Sequence, residues 1–130
     1  MDDDPSKGIR RAGLFILIGM GAILATHVLR AHSRLFPGTI RWILGVMPNF
    51  AAAFSLPFFF SVQKVFWPKS VLNRLNPTLL FAFAVAGTFL LLLLWEAVQY
   101  WIWRYPFDPD DILASGAGVL LSFLVYVTIM

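Results

Sequence analysis

Four of the seven acidic residues in this chain, Glu96, Asp108, Asp110 and Asp111, stand within sixteen positions of one another, with long apolar runs on both sides. A carboxylate beside or inside a membrane segment is costly, so it usually has a partner and often a task. Two chemistries are open to this group. The four carboxylates could hold a divalent cation through oxygen ligands, with Arg104 on a phosphate; that would be a metal-dependent enzyme acting on a lipid-linked phosphate. Alternatively, the same stretch is a hydrogen-bonded cluster that binds or shields the polar head of an amphiphile. The second reading is the better one. No histidine, serine–base pair or glycine-rich phosphate loop accompanies the acids, and two of the four are explained as helix caps. No catalytic residue, metal or cofactor is therefore expected.

The spacing sharpens this. Asp108-Pro109-Asp110-Asp111 has the form of a helix start, with Asp108 at the N-cap, Pro109 at the first helical position and Asp111 at the third. Carboxylates there also suit the helix dipole. From Asp111 a stripe of Ser115, Gly118 and Ser122 runs along one side of the following helix, small and polar enough to face another helix rather than lipid. On the preceding helix, Glu96, Gln99 and Trp103 fall within about 60° of one another at 100° per residue. The expected site is a polar cluster of Glu96, Gln99, Arg104, Asp108, Asp111, Ser115 and Gly118 between these two helices, with Arg104 neutralising Glu96 or Asp111. Asn49, far upstream, could reach this cluster or instead satisfy carbonyls freed by Pro48; both options are open.

Read in order, Glu96-x2-Gln99, then Arg104, Asp108, Asp111, Ser115 and Gly118, resembles the signature of VanZ-like membrane proteins. Ser115 stands where that family commonly has asparagine, and the Asp-Lys-x-x-His-Phe type of segment found earlier in many members is missing. The resemblance implies a small multi-span protein of the bacterial inner membrane and cell envelope. It also implies as ligand class an amphiphile, such as a cell-wall lipid precursor or a glycopeptide antibiotic, since the founding member is linked with low-level resistance to teicoplanin.

The elements that must carry these residues follow from composition. Hydrophobic residues make up 59% of the 130 and charged residues 13%, against about 45–50% and about 25% in soluble domains. One all-α domain over 1–130, an integral membrane four-helix bundle in the lipid bilayer, is expected. Its spans are about 12–29, 42–62, 78–103 and 112–130, each near the roughly 20 residues that cross a bilayer. The basic start before the first run also resembles a signal peptide, but the run is long for one and Arg30 and Arg34 follow at once, so an uncleaved span is favoured. Residues 1–11 read as a short mobile tail, and the loop over 63–77 as a basic segment lying at the headgroup level. Small pairs Gly21/Ala25 and Ala22/Thr26 suggest close helix approach in the first span. Pro48 and Pro57 are expected to kink the second, and Trp95, Tyr100, Trp101, Trp103 and Tyr105 form an interfacial aromatic belt.

The ten basic residues lie between the apolar runs, not in a block, which argues against nucleic-acid binding. Six belong to the N-terminal stretch and second loop and four to the other loops, which favours both termini in the cytoplasm. His27 and His32 read as interfacial. The chain has no cysteine, which removes disulfides, thiolate metal sites and a lipoprotein anchor. A scaffold subunit packing on a larger membrane protein partner is the remaining alternative.

Overall fold

The computed structural model describes residues 5–66 and 76–130. They form four long helices: α1 Pro5–Arg30, α2 Gly38–Phe66, α3 Pro77–Ile102 and α4 Pro109–Ile129, with a single 3₁₀ turn, Ser33–Leu35, between the first two. All four are long and apolar enough to cross a membrane. The chain is an all-α, multi-pass membrane bundle.

The helix starts obey local chemistry. Asn76 accepts the Thr78 N–H at 2.8 Å and Pro77 opens α3. Asp108 accepts the Asp110 N–H at 2.9 Å and Pro109 opens α4, as expected for that tetrad. Each side chain satisfies one of the orphan donors of a first turn. The helices nevertheless overrun the expected spans. Residues 5–11, read as a mobile tail, are the first turns of α1, and Arg10 hydrogen-bonds back to Ser6. Pro37-Gly38 is not merely a turn; the Pro37 carbonyl accepts the Arg41 N–H and α2 begins there. Apolar length marks depth in lipid, whereas a nucleated helix extends for one further hydrogen bond per residue until a cap or breaker stops it. Of the expected interfacial segment, residues 63–66 continue α2, Asn76 and Pro77 open α3, and the rest lies outside the described residues.

α2 is the central element, packed mainly against α1 and α4, with α3 lying against α2 and α4. Lipid offers apolar side chains as much as a neighbouring helix does, so close packing must hold the bundle. Two glycines allow it. A Cβ at Gly19 would fall 2.3 Å from Ser55 Cβ, and one at Gly118 would fall 2.4 Å from the Phe50 carbonyl oxygen. Thus α1 crosses α2 at Gly19, and α4 crosses it at Gly118. Of the small pairs expected in α1, Thr26 is buried, but Gly21 and Ala25 are exposed.

Near the chain termini, five rings cross the bundle. Phe15 of α1 packs on Phe54 and Phe58 of α2; Phe58 packs on Phe81 of α3 at 5.1 Å; Phe81 stacks on Tyr126 of α4 at 3.9 Å. The shared level of these rings makes the four helices run alternately up and down. Arg11 fastens the same end by donating to the Ile129 carbonyl, the last of α4. The other end, where α1 and α3 stop and α2 and α4 begin, carries the polar residues.

Candidate functional site

At that polar end α2 contains Pro48. Proline lacks an N–H and leaves the carbonyl four residues earlier, Leu44, without its helical partner. In lipid such a carbonyl needs another donor. Arg30, the last residue of α1, supplies it: Nε donates to the Leu44 carbonyl at 2.7 Å and Nη2 to that of Gly45. The helix continues through both Pro48 and Pro57.

Because Arg30 takes the freed carbonyl, Asn49 is available for the acids. Its side chain lies within interacting reach of the Asp111 carboxylate, which also lies in the field of Arg30. Of the two options for Asn49, the structure selects contact with the acidic stretch. Across from Asp111, Glu96 is 93% buried, at 7% exposure, and within electrostatic reach of Asp111 and Asp108. Gln99, one turn on, donates to Glu96 Oε1 at 3.4 Å.

The other expected residues are placed as follows. Ser115 is buried, but its hydroxyl donates to the Asp111 backbone carbonyl at 2.8 Å. Gly118 is the α4 contact with α2, one stripe below the acids. Asp108 is the N-cap. Asp110 turns to the far side of α4 and accepts the Trp42 indole N–H at 2.7 Å. Arg104 does not join the cluster. It is exposed, with φ at 58°, the only positive value of a non-glycine among the described residues. It reverses the chain after α3, where the Gln99 carbonyl accepts both the Trp103 and Tyr105 N–H groups. The guanidinium whose field reaches Asp111 is that of Arg30 instead. The cluster therefore draws on all four helices rather than on the third and fourth alone. Arg30 and Trp42 were missed because their partners are remote in sequence; the missing N–H at Pro48 was the one available signal for Arg30.

Beside the cluster runs an apolar groove of about 550 Å³ between α1, α2 and α3. Ile23, Ala52 and Leu91 line it, and Asn49 and Trp95 stand in its wall. Trp95 meets Trp103 edge-on at 5.3 Å, and Trp103 meets Tyr105 at 6.4 Å; Trp95, Tyr100, Trp101, Trp103 and Tyr105 are all exposed, as interfacial aromatics should be.

Chemically, the arrangement offers the Glu96 and Asp111 carboxylates and the Gln99 and Asn49 amides, in the field of the Arg30 guanidinium. These accept and donate hydrogen bonds to a polar head. Neither a nucleophile–base pair nor a group of three His, Asp or Glu side chains fit to hold a metal ion is present among the described residues. His27 and His32 are both exposed. Comparison with known protein families, with curated proteins and with solved structures finds no match to this chain.

Proposed function

We propose that this chain is a VanZ-like, non-catalytic protein of the bacterial inner membrane that binds or shields an amphiphile of the cell envelope, a cell-wall lipid precursor or a glycopeptide. The observation that carries this reading is the buried Glu96 and the Asn49–Asp111 pair beside an apolar groove whose wall includes Asn49. A polar head meets the fixed carboxylates and amides, and an apolar tail lies along Leu91 and Leu94 of α3. Groups so preorganised bind well because little ordering is left to be done on association. The termini face the cytoplasm in this reading and the polar end faces outward, where such ligands are found.

Cells expressing the wild type, Glu96→Gln or Asp111→Asn, matched for protein level, test it in a panel of teicoplanin and other envelope-directed antibiotics. The wild type shifts sensitivity and each variant loses most of that shift. Unchanged sensitivity throughout, or metal-dependent cleavage of a lipid phosphate by the purified protein, refutes the reading.

A further inference from the structure

On the opposite face of α2 lies a second groove, of about 400 Å³, between α2 and α4. Its floor is apolar: Val46, Met47 and Phe50 from α2, Leu113 and Ala117 from α4. The carboxylate of Asp110 stands in its lining together with the Trp42 ring. Asp110 is not needed as a helix cap, because Asp108 holds that position. Instead the Trp42 indole donates to Asp110 Oδ2, which orients the carboxylate and leaves its other oxygen available. The ring itself is half exposed. The carboxylate is fixed at the N–H edge of the indole, and an ammonium ion on its other oxygen gains a charge-assisted hydrogen bond. An anionic head is disfavoured here, since Asp108, Asp110 and Asp111 crowd the start of α4.

A carboxylate and an indole at the mouth of an alkyl-sized groove are complementary to an ammonium head with an apolar tail. We propose that this groove seats a phospholipid with a primary-ammonium headgroup, its ammonium on Asp110 beside Trp42 and one acyl chain between α2 and α4. The site is separate from the cluster around Glu96 and Asp111 and does not depend on the role proposed for it.

The test uses the full-length protein in mixed micelles holding equal amounts of phosphatidylethanolamine, phosphatidylglycerol and phosphatidylcholine. Native mass spectrometry then counts the lipids that remain bound. The wild type retains the ethanolamine lipid about three- to five-fold over the glycerol lipid, the scale of one partly exposed ion pair. Asp110→Asn brings the ratio to parity, and Trp42→Phe lowers it. Glu96→Gln leaves it unchanged, which separates this site from the other. Thermal unfolding of each variant confirms that it is folded, and Trp42→Phe stands in should Asp110→Asn not fold. No preference in the wild type overturns the proposal, as does a preference that survives Asp110→Asn or one that disappears with Glu96→Gln. A second protein copy in the groove, trapped by disulfide cross-linking through Leu113→Cys, also overturns it.

Discussion

The most informative single contact is between Arg30 and the carbonyl that Pro48 leaves bare. A buried acceptor without a donor costs about 1–3 kcal/mol, and Arg30 removes that cost while placing a positive charge near Asp111. Arg30→Ala should therefore lower stability in detergent by about 2–3 kcal/mol. Pro48→Ala returns an N–H to the Leu44 carbonyl. In the Pro48→Ala background the cost of Arg30→Ala should fall by about 1 kcal/mol, but not to zero, because the Gly45 carbonyl still loses a donor. A double-mutant cycle of thermal unfolding measures this; strictly additive losses would mean that Arg30 does not serve the proline. At this scale the sequence showed that Asp108, Pro109 and Asn49 had tasks, because caps and isolated polar groups in lipid have few options. It pointed to Arg104 as the cation for the acids, since Arg104 is close in sequence. Distance through the fold decided otherwise.

At the scale of the helices, existence and number were legible, and seams were not. A run of apolar residues the thickness of a bilayer is unambiguous. Which of its faces meets another helix depends on a partner elsewhere in the chain. In α1 the pairs four apart pointed to Gly21, whereas the buried seam is Ala12, Gly19 and Thr26, spaced by seven. Alanine substitutions discriminate between the two. Gly19→Ala and Gly118→Ala press a methyl into Ser55 and into the α2 backbone respectively, and each should destabilise by about 1–3 kcal/mol. Gly21→Ala has nothing within 4 Å of the new Cβ and should be neutral or stabilising by up to about 1 kcal/mol, from helix propensity alone. Melting temperatures of the three variants in one detergent provide the comparison. Equal effects at Gly19 and Gly21 would contradict the crossing point described.

For the whole molecule, the bundle has one end closed by rings and another joined by polar side chains. The orientation proposed places the polar end outside, on the strength of a six-to-four division of basic residues. Single cysteines at Lys7 and Phe107, both exposed and in a chain otherwise free of cysteine, report it directly. An impermeant maleimide added to intact cells should label position 107 and not position 7. The reverse pattern would place the acidic cluster in the cytoplasm and remove the access that an extracellular ligand requires.

The stack of rings also bears on the order in which the bundle can be assembled. Phe15 meets Phe58, Phe58 meets Phe81, and Phe81 meets Tyr126, so each ring rests on one from the helix synthesised just before it. A chain entering the bilayer from its N-terminus can add helices one at a time, and none has to wait for a ring not yet made. The approach of Asn49 to Asp111 and the Arg11 latch on Ile129 follow a different timetable, because both need α4. Until the last helix arrives, the nascent three-helix intermediate keeps Asn49 without the Asp111 carboxylate. Completion of the polar cluster thus coincides with completion of the fold.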